Sequence, residues 1–445
     1  MKRSNTAPLC VCVFAVSSLS GLVVSGPAGA GGFAIREQSA SSQGASFAGS
    51  AAGYDLSSMF WNPAAVSVKG PGLNTESHYS LIVPRADITV DSVNGVPVAA
   101  TPFASISESG NIAGPAITGA SYGAYQLSNN LFVGMSLNSP FGLTTEPDNN
   151  SYLAAGLGRS TRLFTLNANP IVGYKISPSL TVAAGFQAQY ADGELKFATG
   201  GPFGPSSGFA GDDWAFGGTA GILYQPSQAT SIGLGYRSRL SHTLDGDFYT
   251  NGSAITAGRA LVSNAEADIN LPDIVTLSVR QAISSNVRVL GTVEWSNWSR
   301  FEDLTVVAQE NTVTIFNLGG LGGPATPAGS DIASIPAGWQ DGWFFAGGLE
   351  YDTRPDLTLR AGVAYEISPV REANQRILGI PDSDRLWLSF GATAKVSESM
   401  TVDVAYTHIV LDDAEFNRTS FAGVNFEGSV ESSTDILSVS MKTRW

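Results

Sequence analysis

The chain has 445 residues, with 24 Lys and Arg against 38 Asp and Glu, and a formal net charge of −14 at pH 7. This balance excludes nucleic acid as an expected partner, because phosphate recognition needs clustered cations. The only cysteines, Cys10 and Cys12, lie close to the N-terminus, which excludes a disulfide scaffold or thiolate metal ligands elsewhere. The three histidines are far apart in sequence, so we expect no metal and no cofactor.

Residues 1–30 have the pattern of a secretory signal peptide. Lys2 and Arg3 precede a largely apolar stretch, and Pro27 comes before the small-residue triplet Ala28-Gly29-Ala30. These features predict export and cleavage after Ala30, with an uncleaved membrane anchor as the alternative. No later segment has the roughly 18 uninterrupted apolar residues that a membrane-spanning helix requires. If the chain enters a membrane, we expect it to do so as strands.

Apolar and polar side chains alternate along many segments after residue 72. In the last segment, Leu437, Val439 and Met441 fall on one face, whereas Ser438 and Ser440 fall on the other. A period of two residues is typical of a β-strand with one apolar and one polar face. The sequence therefore predicts an all-β fold beyond this point.

Six short turn signals separate pairs of these strands. They are Ser128-Asn129-Asn130, Ser177-Pro178-Ser179, Pro226-Ser227-Gln228, Ser284-Ser285-Asn286, Thr353-Arg354-Pro355-Asp356 and Ser397-Glu398-Ser399. Long connections, such as Asp192 to Trp214 and Asp245 to Ala265, join the strands at their other ends. Seven hairpins give about fourteen antiparallel strands, with short turns at one rim and long loops at the other. This is the layout of a transmembrane β-barrel of the bacterial outer membrane, predicted here over residues 72–445.

A soluble β-sandwich or propeller is the alternative, since its strands also alternate. The polar faces here carry isolated ionisable groups, including Arg280, Arg360 and Glu366, among small residues, as expected of a wet lumen. The hairpin spacing is too irregular for propeller blades. The terminal aromatic residue Trp445 also fits a barrel. We therefore expect outer-membrane lipids around the apolar face and insertion by the outer-membrane assembly machinery through the last strand.

Residues 31–71 do not alternate and precede the first strand, which we expect to start near Gly72. A helix is predicted around Asp55 to Phe60, ending before Asn62-Pro63. The segment has too many large apolar side chains for a solvated tail. We therefore predict an N-terminal plug, or hatch, inside the lumen, with a disordered leader as the alternative.

Several motifs resemble the FadL family of outer-membrane long-chain fatty acid transporters. They are Gly32-Phe33-Ala34-Ile35-Arg36-Glu37-Gln38-Ser39-Ala40, Gly44-Ala45-Ser46-Phe47-Ala48-Gly49, Trp61-Asn62-Pro63-Ala64 and Asn138-Ser139-Pro140-Phe141-Gly142-Leu143. The resemblance implies uptake of long-chain fatty acids by loop capture, an internal hydrophobic pocket and lateral release into the membrane. Uptake of aromatic hydrocarbons or other neutral hydrophobic compounds is the alternative within the same family. A greasy route suits such a cargo, because moving about a dozen methylenes into water costs on the order of 10 kcal/mol.

The resemblance also assigns roles to single residues. It places Phe33, with its neighbour Ile35, in the ligand pocket, and makes Asn62, Pro63 and Ala64 a rigid turn of the hatch. It implies a lateral opening at a kink in the third strand, read here as Asn138, Ser139, Pro140, Phe141 and Gly142. Pro140 supplies a physical reason, since it cannot donate to the strand ladder. A bulge that merely ends the strand near the rim is the alternative.

Capture outside is implied to use a groove between the loops that follow strands five and seven. The candidate residues are Phe197, Phe203, Phe209 and Trp214 in the first loop, and Phe248, Tyr249 and Ile255 in the second. Packing of these side chains on one another is the alternative. A fatty acid carboxylate also needs a cation, and parity places Arg280 and Arg360 on inward faces. We favour pairing of each Arg with a lumen carboxylate such as Glu366 or Glu294, because buried charges are normally paired.

Two other classes of function are less compatible with the sequence. A lipid hydrolase would need Ser, His and an acid to converge, and His78 and His408 are strand residues with no evident Ser partner. We therefore expect no enzyme. A general diffusion porin would conduct ions steadily, whereas a plugged transporter would conduct almost none.

Overall fold

A computed structural model describes residues 31–199, 201–251, 259–313 and 325–445. The predicted signal peptide, residues 1–30, lies outside the described residues. The barrel strands, some in two segments, are β1 Leu73–Val93, β2 Ala116–Gln126, β3 Leu131–Asn138 with Gly142–Thr145, β4 Ser160–Ser177, β5 Leu180–Ala198, β6 Ser206–Ser227, β7 Thr230–Arg237 with Leu240–Asn251, β8 Arg259–Leu271 with Ile274–Ala282, β9 Val287–Ser296 with Asp303–Ala308, β10 Asp331–Pro336 with Gly342–Arg354, β11 Leu357–Ile367, β12 Arg385–Lys395, β13 Met400–Leu411 with Ala414–Thr419, and β14 Asn425–Arg444.

These fourteen antiparallel strands close into one barrel. Closure is made by β1 and β14, which pair from Asn74 opposite Arg444 to Val93 opposite Phe426. Each of the six predicted turn signals joins two consecutive strands at one rim. The predicted all-β barrel and its fourteen strands are therefore confirmed.

The two faces of the barrel wall have opposite chemistry. On β14, Leu437, Val439 and Met441 are 48%, 45% and 52% exposed, whereas Ser438 and Ser440 are buried against the lumen. Large apolar side chains on an exposed outer band are stable when hydrocarbon, not water, surrounds them. Among the described residues, no helix is long and apolar enough to cross a membrane.

The strands extend further than the sequence indicated. The predicted connection Asp192 to Trp214 is wrong, because β5 continues to Ala198 and β6 begins at Ser206. Trp214 is consequently a strand residue, not a loop residue. The second connection, Asp245 to Ala265, is also largely strand, since β7 runs on to Asn251 and β8 starts at Arg259. Beyond the apolar layer the alternation continues but inverts: Leu195 and Phe197 are buried, whereas Glu194 and Lys196 lie on the other face.

The N-terminal segment, residues 31–71, is almost entirely buried and precedes β1. It contains the helix α1 Ala40–Gln43 and the 3₁₀ helices Ser50–Ala52, Leu56–Phe60 and Pro63–Ser67. The helix predicted around Asp55 to Phe60 is thus present as a 3₁₀ turn, with Asp55 at its N-cap. Shorter elements lie in the outer connections: strands Val96–Pro97 and Glu108–Asn111, the pair Thr312–Val313 and Ala325–Thr326, and 3₁₀ helices Val98–Ala100, Ala104–Ile106, Leu153–Gly156, Trp298–Arg300 and Ala373–Gln375.

The N-terminal segment packs directly on the inner wall. Helix α1 contacts β12, β13 and β14, whereas the 3₁₀ helix Pro63–Ser67 contacts β4, β5 and β6. Glycines allow the closest approaches: a Cβ atom at Gly233 or Gly235 of β7 would collide with the carbonyl oxygen of Ala51 or Trp61, respectively. Backbone-to-backbone packing of this kind requires residues without a side chain.

Candidate functional site

The ladder between β2 and β3 is interrupted. It runs from Gln126 opposite Phe132 to Ser121 opposite Leu137, and the next bridge joins Ala113 to Thr145. Between these points, residues 116–120 of β2 and residues 138–142 of β3 have no ladder between them in the described part of the chain. We call this interruption the wall gap. It contains the whole stretch that the sequence predicted as a lateral opening.

Proline accounts for the interruption. Pro140 has no N–H to donate, and the backbone N–H of Phe141 turns instead to the side chain of Thr165 on β4, at 3.1 Å. The strand resumes at Gly142, which pairs with Phe164 of β4. One side of β3 is therefore held by β4, while the side toward β2 is open.

The N-terminal segment fills the wall gap from inside. The N–H of Gly142 donates to the carbonyl oxygen of Phe33 at 2.9 Å, and the N–H of Ile35 donates to that of Pro140 at 2.8 Å. Ala34 lies opposite Phe141 as in an antiparallel ladder. The gap is therefore closed by three residues that are not part of the barrel wall.

Phe33 lies in a cage of four aromatic rings. Its ring centroid is 4.8 Å from that of Trp298, 5.6 Å from Phe301, 6.0 Å from Trp339 and 6.1 Å from Phe141. Phe33 is only 2% exposed. We call these four residues the aromatic cage. The preceding residue, Gly32, has φ +66°, and a Cβ atom there would press on the rings of Trp339 and Trp298.

Of the four cage residues, the sequence singled out only Phe141, as part of the predicted lateral opening, and missed the other three. Trp298 and Phe301 lie where β9 is interrupted, and Trp339 lies where β10 is interrupted. Their aromatic character between two strand segments was a visible signal. Their meeting point was not, because it depends on how two separate strands bend toward the lumen.

A cavity of ≈ 30 Å³ lies beside the cage, lined by Ile35, Phe60, Trp61, Phe141, Arg237 and Glu294 among others. This is room for about one water molecule, far less than a long acyl chain occupies. A ligand of that size therefore requires movement of the side chains that line the cavity.

Arg237 is the unusual group in this cavity. It is 5% exposed, its guanidinium lies 4.5 Å from the centroid of the Phe60 ring, and it donates to the Phe60 carbonyl oxygen at 3.3 Å and to the Gln187 side chain. No carboxylate of the described residues lies within 4.0 Å of it. Arg237 was not predicted from the sequence, although it shares the inward parity of Ser231, Gly233 and Gly235 on β7.

Arg280 and Arg360 lie elsewhere. Both bind Glu350, at 2.9 Å each, close to the rim of short turns, and their guanidinium groups are 5.7 and 5.9 Å from the ring of Tyr54. The expectation that each Arg pairs with a carboxylate is confirmed for the described residues, but the proposed partners were wrong. Glu294 and Glu366 bind Arg36 instead, at 2.8 and 3.3 Å.

Asn62, Pro63 and Ala64 form a tight turn on the wall. The Asn62 side chain accepts from the N–H of Ala64 at 3.0 Å, and it donates to the carbonyl oxygens of Ala51 and Ile222 at 2.9 and 3.0 Å. Asn62 thereby caps the 3₁₀ helix that Pro63 begins. The turn joins two parts of the N-terminal segment to strand β6.

Ion pairs fix the lower part of the same segment. Burial by itself would raise the pKa of Asp55, but the ammonium groups of Lys442 and Lys69 hold that pKa well below its usual value. Lys69 lies 2.9 Å from Asp55, and Lys442 also binds Asp403 of β13 at 2.8 Å. This part of the segment is therefore tied electrostatically to β13 and β14.

The aromatic residues proposed for capture divide into buried and exposed ones. Phe197, Phe209 and Phe248 are buried, and Phe197 packs against Phe248 and, at 4.9 Å, against Phe421. Phe203 is 72% exposed in the connection between β5 and β6. Trp214 does not belong to that connection: it faces outward from β6, next to Tyr190. Tyr249 is buried, and Ile255 lies outside the described residues.

Comparison with known proteins identifies the family to which this chain belongs. The family model described as "Outer membrane protein transport protein (OMPP1/FadL/TodX)" matches residues 21–445. The long-chain fatty acid transport protein of Escherichia coli O6:H1 is 27% identical over 425 residues, which cover 87% of this chain and 88% of that protein.

Solved structures share the fold. The crystal structure of a Pseudomonas aeruginosa FadL homologue superimposes with a TM-score of 0.79 at 18% identity, covering 93% of this chain and 99% of the other. The Ralstonia pickettii toluene transporter TbuX superimposes with a TM-score of 0.64 at 17% identity, covering 92% of this chain and 99% of the other. The chain therefore belongs to the OMPP1/FadL/TodX family, whose members are transporters and not enzymes, and it is an outer-membrane transporter of hydrophobic compounds.

Proposed function

We propose that this protein takes up long-chain fatty acids and releases them laterally through the wall gap. Its N-terminal segment acts as a hatch, closed here by Phe33, Ala34 and Ile35. The acyl chain enters the aromatic cage from the extracellular side, displaces Phe33, and passes between β2 and β3 into the surrounding lipid. The name of the Escherichia coli relative supports this substrate class.

The observation that carries the proposal is Arg237. A buried guanidinium without a carboxylate partner is costly, so it is expected to meet an anion during the working cycle. Arg237 faces the same cavity as Ile35 and Phe141, which are next to the cage and the gap. A largely apolar cavity that holds Arg237, and in which Glu294 is already bound to Arg36, suits a molecule with a long alkyl chain and one carboxylate. We assign this role to Arg237 and not to Arg280 or Arg360, because both of these bind Glu350.

Release through the side of the barrel is favoured because the alternative, exit into the aqueous periplasm, costs free energy. Transfer of each methylene from an apolar site into water costs about 0.8 kcal/mol, so exit into the periplasm is unfavourable for a long chain. Exit through the wall gap keeps the chain in apolar surroundings. The turn Asn62-Pro63-Ala64 and the Asp55 ion pairs hold the base of the hatch, so motion is confined to its first residues. We propose that exposed Phe203 and buried Phe197, Phe209 and Phe248 form the outer capture surface.

The test is the binding of oleate and of oleyl alcohol, which have the same chain but differ in charge, to purified wild type and Arg237→Gln. We expect Arg237→Gln to weaken oleate binding by about 10- to 100-fold, since a hydrogen bond to a charged group contributes roughly 1.5–3 kcal/mol. Binding of the alcohol is expected to stay within about twofold. Arg239→Gln, at an exposed position two residues along the same strand region, is the matched control.

The alternative substrate class is a neutral aromatic hydrocarbon, as the toluene transporter TbuX shows for this fold. The all-aromatic surroundings of Phe33 are compatible with it. In that case Arg237→Gln leaves toluene uptake unchanged, and the losses of oleate and alcohol binding are equal. Equal losses for the two ligands would overturn the assignment of a carboxylate cargo.

A further inference from the structure

The first two residues of the hatch donate into buried carboxylates. The backbone nitrogen of Gly31 lies 2.9 Å from Glu366 Oε1, and that of Gly32 lies 2.8 Å from Asp382 Oδ2. Glu366 is at the outer end of β11, and Asp382 is in the connection to β12. All four residues are buried. The start of the hatch is thus held by carboxylates that are 335 and 350 residues away in sequence.

The start of the hatch lies among buried carboxyl and guanidinium groups. Arg36 binds Glu294 and Glu366, while Arg385 binds Asp382 and lies 3.8 Å from Glu366. Glu37 is the one carboxyl group of this set with no cation within 4.0 Å among the described residues. We call Glu366 and Asp382, with these neighbours, the acidic pocket.

Glu37 is the least satisfied of these groups. It is 1% exposed, and neither of its carboxylate oxygens has a hydrogen-bond partner among the described residues. Burial raises the pKa of Glu37 to about 7, although the charges of Arg36 and Arg385 act in the opposite direction. A buried ionised carboxylate without a cation is strongly disfavoured. Glu37 therefore favours its protonated, neutral form.

We infer that the acidic pocket is a binding site for the α-ammonium group of the mature chain, with Gly31 as its first residue. Hydrolysis of the Ala30–Gly31 peptide bond by a signal-peptide-cleaving protease consumes one water molecule. It leaves a carboxylate on Ala30 and an amine on Gly31, which takes up a proton. The resulting ammonium pairs with Glu366 at the position where the Gly31 nitrogen already lies.

Charge and space both support this assignment. An ammonium group supplies three donors and one positive charge where an amide supplies one donor and none. The ammonium adds a positive charge beside Glu366, and a proton on Glu37 leaves that group neutral. A Cβ atom at Gly31 would lie 3.2 Å from Glu366 Oε1 and 3.4 Å from Pro369, so glycine gives the nitrogen its closest approach.

The consequence is that export processing completes the closed hatch. The ammonium fixes Gly31, Gly32 follows with φ +66° between two indole rings, and Phe33 enters the cage. This inference rests on the cleavage site that residues 1–30 predict, and not on the identity of the transported compound. It can therefore fail while fatty acid uptake stands, and the reverse is also true.

The experiment is acetylation of the α-amine in protein purified from outer membranes. Peptide mass spectrometry first establishes the N-terminal residue, expected to be Gly31. The folded protein is then treated with a water-soluble acetylating reagent at pH 7, and the rate of modification at Gly31 is compared with that in the heat-unfolded chain. An unpaired α-amine has a pKa of about 7.7–8.0 and reacts readily. We expect the folded wild type to react at least tenfold more slowly than the unfolded chain.

Two variants test the partner. Glu366→Gln is expected to raise the rate in the folded protein at least tenfold, whereas Glu398→Gln, in an exposed turn, is expected to leave it unchanged. If Glu366→Gln fails to fold, one glycine inserted before Gly31 serves instead, since it moves the amine by about 3.5 Å. A mature chain that starts elsewhere, a folded wild type as reactive as the unfolded chain, or an extended chain as protected as wild type would each overturn the assignment.

Discussion

A disulfide between the hatch and strand β3 is expected to block uptake. Ala34 and Phe141 lie opposite each other, and the two hydrogen bonds that flank them are made by their neighbours, Gly142 to Phe33 and Ile35 to Pro140. This is the geometry of a non-hydrogen-bonded antiparallel pair, in which the Cα atoms are about 4.5 Å apart. Disulfides span about 4.4–6.8 Å between Cα atoms. Ala34→Cys with Phe141→Cys is therefore expected to oxidise without movement of the backbone.

The size of the effect follows from the contacts that close the gap. Opening breaks two backbone hydrogen bonds of about 1 kcal/mol each and removes Phe33 from its cage at about 2 kcal/mol. The total of about 4 kcal/mol corresponds to an open fraction on the order of one in a thousand. Such a minor state still supports transport when opening is fast. A covalent bond across the gap removes it, so uptake is expected to fall at least tenfold.

The assay is the uptake of radiolabelled oleate by cells that carry the double variant, before and after a mild reductant. Residues 31–445 contain no cysteine, so the engineered pair has no competing thiol in the mature chain. The single variant Phe141→Cys controls for loss of a cage ring and is expected to be insensitive to the reductant. Uptake by the oxidised double variant at the rate of the reduced one would refute release through the wall gap.

Two further predictions concern the hatch itself. Gly235→Val places methyl groups where the carbonyl oxygen of Trp61 lies, so it is expected to displace the hatch and raise ion conductance in planar bilayers at least tenfold. Gly347→Val is the control, because a side chain there meets open space, and it is expected to leave conductance low. Conductance that is equal in both variants would contradict the packing described here. The pKa of Glu37 is raised from 4.5 to about 7, so its contribution to the free energy of unfolding is fully present below pH 4.5 and is lost as the pH rises through 7, by about 3 kcal/mol. Glu37→Gln is expected to remove this part of the pH dependence. The measurement is the unfolding temperature at each pH, read from the change in gel mobility on heating. A pH profile that is the same in Glu37→Gln and wild type would contradict the burial of Glu37 without a partner.

The alternation of apolar and polar side chains along each strand predicted the fold most reliably. The alternation of Leu437 to Met441 with Ser438 and Ser440 gives the outward face directly, because lipid and lumen select opposite side chains at a period of two residues. The short turn signals also predicted the strand ends at one rim, because Ser, Asn and Pro favour turns through their own backbone and side-chain chemistry. At the other rim the same reasoning failed for Trp214, because the strands continue beyond the apolar layer, where the apolar side chains lie on the buried face and the polar ones face outward.

The site could be predicted only in part. The motif around Pro140 marked the interrupted strand because proline acts on its own backbone. The resemblance pointed to Phe33, but its partners Trp298 and Trp339 belong to distant connections. The alternation along the strand correctly predicted that Arg280 faces inward. It did not predict that Arg280 binds Glu350, or that Arg237 has no carboxylate within 4.0 Å among the described residues.

By itself, the sequence determined that this chain forms a fourteen-stranded barrel with an apolar exterior, because strand periodicity and turn chemistry are local properties that each segment carries wherever it lies. Tertiary structure alone decided which charges meet and which rings enclose Phe33. Those contacts join residues hundreds of positions apart, such as Gly31 and Glu366, and depend on barrel closure and strand register, which no single segment encodes.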